Sequence, residues 1–340
     1  MQPSALLCPK PEGLYCPKAD IYIDPTRPVD RALITHGHSD HARSGHGRVL
    51  ATPETLAIMG ARYGDAFCGS KQELKYGEKL VINGVTFSLH SAGHVLGSAQ
   101  AAVESEGLRI VVSGDYKRQP DPTCPPFEVI RCDIFISEAT FALPVFKHPS
   151  AEQEVRKLMS SVALFPERTH LVGVYALGKA QRVMALLRQC GWKKPIFAHG
   201  ALMELTRLYQ EFGVDLGDVQ HVTTAPKSFY AGGIVLCPPS ALQTPWARRF
   251  PEPVNSFASG WMRIRARARQ QLVELPLVIS DHADWTDLTR TILDTEAGEI
   301  WITHGEAEAL AHWCRTQGLE AKPLHLVGYG DEEEPAGAAA

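Results

Sequence analysis

Residues 35–41, Thr-His-Gly-His-Ser-Asp-His, set four metal-capable side chains, His36, His38, Asp40 and His41, within six residues, directly after the largely apolar run 31–35. The run reads as a short buried strand, which places the four groups on the loop at its carboxyl end, where α/β sheets keep their chemistry. One helix or one strand could not aim all four inward. Imidazole suits zinc and a carboxylate suits zinc, iron or manganese, so such a loop can feed two adjacent cations. A lone His-x-His would read equally well as a polar surface turn; the clustering argues against that.

Two cations need more ligands, and later strand-like runs end in them. Residues 86–94 end in His94, residues 108–115 end in Asp115, and residues 300–306 carry His304. Asp24 closes the apolar triplet 21–23.

In these residues the chain resembles the metallo-β-lactamase superfamily. Asp24, HGHSDH at 36–41, GHVLGSA at 93–99 and SGDY at 113–116 match its first four motifs. Three further matches, Glu138 in ISEATF (136–141), His282 in ISDHADW (279–285) and His304 in ITHGE (302–306), follow the order of the A, B and C motifs of β-CASP nucleases. The resemblance runs from roughly Leu14 to Gly328 and takes in GVYALGKAQR (173–182) and FASGWM (257–262). The segments 13–25 and 259–269 look most like the bacterial ligase-associated DNA exonucleases, relatives of mRNA 3'-end processing factors. His304 points the other way: Artemis-like DNA nucleases generally lack a motif C histidine, whereas RNA 3'-end-processing endonucleases and ribonuclease J keep it.

The resemblance implies an α/β protein, a metallo-β-lactamase αββα sandwich with an inserted α/β β-CASP domain. It implies a metal-dependent DNA-repair exonuclease acting on single-stranded ends, with an RNA-processing ribonuclease as the alternative and a non-catalytic scaffold as the third. His36, His38 and His94 would hold one divalent cation, Asp40, His41 and His304 the second, and Asp115 would bridge them. Zinc is the expected metal and manganese the alternative. Asp24 would support these ligands by hydrogen bonding. Two cations together can activate a hydroxide at neutral pH. His282 would protonate or stabilise the leaving 3'-oxygen, with Glu138 orienting it, so Asp40, His282 and Glu138 are the expected catalytic residues. The expected macromolecular partners are DNA or RNA; a DNA ligase and a helicase follow from the resemblance alone.

The expected organisation is a first metallo-β-lactamase part at 1–143, an inserted β-CASP domain at 144–275, a return segment at 276–328 and a disordered acidic tail at 329–340. A helix is expected over 53–62. Ser150 and Gln153 have capping-box spacing and open a helix through Val162. Alternating strands and helices follow, with the chain returning on a strand at 277–280 that delivers His282. The cleft between the two domains is expected to hold a polymer strand.

Arg263, Arg265, Arg267 and Arg269 would share one face of an extended strand and track phosphates, although in a helix they would fan out. Lys179, at a helix start, is expected to touch substrate phosphate or solvent. Gly114 and Gly305 fit close backbone approach beside the metals. The 340 residues, 44% hydrophobic, can bury one large core or two moderate ones. The formal net charge of −4 argues mildly against a generic nucleic-acid binder, though four of the acids lie at 331–334. The eight cysteines show no Cys-x-x-Cys pairing. With no signal-peptide layout and no long apolar run, a soluble cytoplasmic protein is expected.

Overall fold

The computed structural model describes residues 2–324, so the tail expected at 329–340 lies outside the described residues. The described residues divide into two compact units, one made of residues 2–147 and 282–324, the other of His148–Asp281.

The first unit opens with α1 (Pro3–Leu6) and a sheet of β1 (Cys8–Lys10), β2 (Gly13–Cys16), β3 (Ile21–Ile23), β4 (Arg31–Leu33), β5 (His46–Ala51) and β6 (Cys68–Glu73), paired in that order. Pairing is antiparallel up to β3 and parallel beyond it. Between β5 and β6 runs α2 (Pro53–Tyr63). Its start is fixed by the Thr52 side chain accepting from Thr55 N at 3.2 Å and by Pro53 in the first turn. Gly64, at φ +81°, ends it. A second sheet then forms from β7 (Lys79–Ile82), β8 (Val85–Ser91), β9 (Ala99–Ser105), β10 (Leu108–Val112) and β11 (Ile134–Ala139).

The second unit contains α3 (Ala151–Leu164), β12 (His170–Gly173), α4 (Lys179–Gln189), β13 (Ile196–Ala198), α5 (Gly200–Glu211), β14 (Val219–His221), β15 (Ile234–Cys237), β16 (Val254–Ala258), α6 (Arg265–Gln270) and β17 (Leu275–Leu277). The expected cap at Ser150 forms, its hydroxyl accepting from Gln153 N. The strands make one parallel sheet, β14-β13-β15-β12-β16-β17. Two expectations change here. The strand expected at 277–280 is instead β17, which ends at Leu277 and pairs with β16 in this sheet, and the boundary between the units falls between Asp281 and His282. The arginine run is not a strand either: residues 260–263 form a 3-10 turn and α6 follows, so the four side chains fan out. Arginine and alanine are both strong helix formers, which outweighs the two-residue charge period.

The first unit is completed by α7 (Trp285–Asp294), β18 (Glu299–Gly305), α8 (Ala307–Thr316) and β19 (Glu320–Pro323). The new strands extend the second sheet to β19-β18-β11-β10-β9-β8-β7. Alternation along the strands sends one side-chain set between the sheets, where Leu14, Ile23 and Leu33 meet Phe87, Leu89 and Ile110. Full burial of each such side chain contributes about 1.5–3 kcal/mol. The opposite faces are covered by helices: Leu56 and Met59 of α2 pack with Ala32 and Val49, while Leu288 and Ile292 of α7 and Leu310 of α8 pack with Val111, Phe135 and Ile300. The result is a helix-sheet-sheet-helix sandwich. No helix among the described residues is long and apolar enough to cross a membrane.

Candidate metal centre

Every motif residue of the first unit arrives from the carboxyl end of a strand. Asp24 follows β3, residues 35–41 follow β4, Asp115 follows β10, Glu138 lies at the end of β11 and His304 at the end of β18. Asp24 holds a left-handed backbone, φ +46°, which is costly for a non-glycine residue, and uses it to brace the ligand loop. Its Oδ1 accepts from Thr35 N at 2.7 Å, and its Oδ2 accepts from Thr35 Oγ1 at 2.6 Å and faces His41 Nδ1 at 2.8 Å.

The Thr35 hydroxyl is thereby spent as a donor, so the 3.1 Å contact between Thr35 Oγ1 and His36 Nδ1 requires His36 Nδ1–H to donate. His36 Nε2 must then present a lone pair, and it lies 3.3 Å from Asp115 Oδ2. Two buried electron-rich atoms at that distance call for a cation between them. Consistently, His36 Nε2 is buried with no hydrogen-bond partner among the described residues. Burial, then the nearby His41, holds the His36 imidazole well below its ordinary value, which keeps it neutral for ligation. His94 is pushed down the same way by burial and by His282.

Two groups of donor atoms each converge within 4.8 Å: His36, His38, His94 and Asp115, and His41, Asp115 and His304. They share Asp115, whose Oδ1 is 3.1 Å from His304 Nε2 and whose Oδ2 is 3.5 Å from His41 Nε2. These are two potential sites for divalent cations, and the buried imidazole and carboxylate donors fit zinc or manganese alike. Burial alone would raise the Asp115 carboxyl, but His41, His304 and His282 hold it well below its usual range. Burial likewise opposes charge on His41, yet Asp115, Asp40 and Asp24 outweigh it and push the group up to about 10. Asp40, expected as a ligand beside His41, sits outside the convergent groups, with its Oδ2 3.7 Å from His41 Nε2.

A third group joins Asp115 to Glu138 and His282. Glu138 is fully buried; its Oε1 accepts from Tyr116 N at 2.8 Å and its Oε2 faces His282 Nδ1 at 3.0 Å. The carboxylate fixes the ring's orientation and directs Nε2 away from itself.

Backbone proximity makes two glycines necessary. A Cβ on Gly114, at φ +56°, would stand 2.8 Å from Thr35 Oγ1, and one on Gly305, at φ +89°, would stand 2.3 Å from the Ala139 carbonyl. The sequence did not single out several supporting groups. Thr35 hides inside an apolar run, and Arg62 and Tyr63 clamp the ligand loop from α2, donating to the Gly37 carbonyl at 3.0 Å and the Ala42 carbonyl at 2.8 Å. Ser98, within the 93–99 motif, accepts at Oγ from the backbone N–H of both His94 and Val95.

In the second unit Lys179 is not at the surface as expected. It is buried, with Nζ 2.8 Å from Asp281 Oδ2, while Arg182 Nη1 lies 3.1 Å from Asp281 Oδ1, so its charge is committed within the fold.

The sandwich, the strand-end ligands and the parallel insert together define the metallo-β-lactamase fold with a β-CASP-type insertion. A crystal structure of a protein of unknown function from Enterococcus faecalis shares this fold, with a TM-score of 0.57 at 13% identity over 88% of this chain and 80% of that one. No family model matches the chain. Among curated relatives, a probable DNA ligase of Opitutus terrae is 29% identical over 317 residues, 91% of this chain and 30% of that protein. The endoribonuclease YSH1 of Saccharomyces cerevisiae is 30% identical over 47% of this chain and 25% of its own length. An RNase J-like protein of Methanocaldococcus jannaschii is 23% identical over 59% of this chain and 53% of its own. The chain thus spans roughly a quarter to a half of the length of these relatives. These similarities and the two convergent donor groups support membership of the metallo-β-lactamase/β-CASP nuclease superfamily.

Proposed function

We propose that this protein is a metal-dependent nuclease that hydrolyses phosphodiester bonds. The observation that carries this is the buried Glu138–His282 pair standing beside Asp115, the carboxylate common to both ligand groups. Divalent cations there would supply Lewis acidity and a nucleophile at neutral pH. His36, His38, His94 and Asp115 would hold one, and His41, His304 and Asp115, with Asp40 alongside, the other. The chain's own contribution to bond breaking is a proton. His282 Nδ1 donates to Glu138, the carboxylate stabilises the imidazolium, and Nε2–H is delivered to the departing 3'-oxygen. Asp24 and Thr35 keep the ligand loop from relaxing while charge develops.

RNA is the substrate that more of the relatives support, since the names of both the yeast and the archaeal protein denote ribonucleases. DNA, as a repair exonuclease working with a ligase, is the second reading, favoured by the match that extends over 91% of the chain and lies within a probable DNA ligase. End-labelled single-stranded RNA and DNA of identical sequence, incubated side by side with metal-loaded protein and with chelator, decide between them. Faster metal-dependent RNA cleavage supports the first reading and stepwise DNA shortening the second, while cleavage of neither rejects the nuclease assignment.

A further inference from the structure

A chain with a formal net charge of −4 carries, between residues 219 and 273 of its second unit, seven lysines and arginines against a single acid, Glu252. Among the described residues none of Arg248, Arg249, Arg263, Arg265, Arg267 and Arg269 is paired with a carboxylate. Arg168 shows the contrast, its guanidinium forked onto Glu274 at 2.7 and 2.8 Å. Gathering cations without acids costs repulsion in the free protein and is offset when a polyanion binds.

The same stretch exposes an aromatic ring. Phe229 is 56% exposed, yet its ring is anchored, 5.5 Å from Phe197 and 5.1 Å from Tyr230. Tyr230 packs on Phe250 at 5.1 Å, Phe250 on Trp246 at 5.0 Å, and the Arg249 guanidinium lies over Trp246 at 5.6 Å. The exposed Phe229 ring and the Arg249 guanidinium are therefore linked through one continuous aromatic cluster, with Arg248 next to Arg249 in sequence. A rigidly held ring beside cations is the arrangement that binds single strands irrespective of sequence, by stacking a base and neutralising phosphates. An acidic peptide would use the cations and leave the ring without a function.

We propose that this surface of the second unit binds single-stranded nucleic acid, Phe229 stacking a base while Arg248 and Arg249 contact phosphates. The choice of ligand rests on the nuclease reading, but binding is measurable without cleavage. The test is fluorescence anisotropy of a labelled single strand of about 20 nucleotides, in chelator, from about 50 to 200 mM salt. Phe229→Ala is expected to weaken binding about 10-fold with an unchanged salt slope. The Arg248→Ala/Arg249→Ala double variant is expected to weaken binding and to flatten the slope by about 1.4, two phosphates at about 0.7 each. Both should keep the wild-type thermal unfolding midpoint and circular dichroism spectrum, which excludes misfolding. Wild-type binding by both variants overturns the proposal, as does displacement of the strand by polyglutamate at equal charge concentration. Weakened binding in a protein that cleaves nothing would leave this surface standing and remove the nuclease reading.

Discussion

Glu138→Gln isolates the proton-transfer part of the account. Glutamine keeps the size of the side chain and can still accept from Tyr116 N through its carbonyl oxygen, so the local backbone has no reason to move. What changes is the atom facing His282 Nδ1, now 3.0 Å from a carboxylate oxygen. An amide nitrogen there donates, which makes Nδ1 an acceptor and removes the charge that stabilises the imidazolium. At an effective dielectric of about 20, a carboxylate and an imidazolium about 3 Å apart attract by roughly 5 kcal/mol, a ceiling on the loss. A positioned general acid is worth about 10²- to 10⁴-fold in rate, or roughly 3–5 kcal/mol, within that ceiling. The expected result is a kcat lower by about 10²- to 10⁴-fold with KM changed only a few-fold. The assay is steady-state cleavage of a labelled oligonucleotide, with metal content per chain measured on the same samples because Glu138 lies close to Asp115. A variant with full metal content and a kcat within about three-fold of wild type would refute the role given to the pair.

Gly114→Ala should destabilise the fold by about 2–5 kcal/mol, from left-handed strain and from overpacking against Thr35, as read from denaturant unfolding; unchanged stability would contradict the close approach. Thr35→Val removes the donor to Asp24 and the acceptor for His36, which should cost about 1–3 kcal/mol and weaken metal binding about 10- to 100-fold by competition with a chelating dye. His41, raised from 6.5 to about 10 in the metal-free protein, holds a proton that a cation must displace, so metal affinity should climb about ten-fold per pH unit between pH 7 and 9. The sign for metal-free stability is opposite: because the folded-state value is the higher one, this contribution is complete below about 6.5 and disappears as pH rises through about 10. Isothermal metal titrations and pH-dependent unfolding check the two directions separately.

The residues of the two convergent donor groups were legible because metal-capable chemistry restricts residue type and because each follows a short apolar run that a strand must bury. Asp24 was legible by position, but its partner Thr35 was not, since a threonine in a β-type run has an ordinary explanation. Residues 275–280 form a nearly continuous apolar stretch, and periodicity cannot tell which of two sheets such a stretch joins; only its pairing with β16 does. The alternating arginines mimic a strand period, and local helix propensity overrode it. Lys179 looked exposed because charge usually is, and the carboxylate that holds it, Asp281, lies on the far side of the insert in sequence.

The most direct test of the two-metal account is to count bound metal and RNA or DNA cleavage together in wild-type protein and in Asp115→Ala, which removes the one side chain shared by both ligand groups. The account predicts two ions per wild-type chain with cleavage abolished by chelation, and in the variant lost metal together with lost cleavage. Cleavage persisting without metal, or a variant that keeps both its ions and its activity, would contradict it.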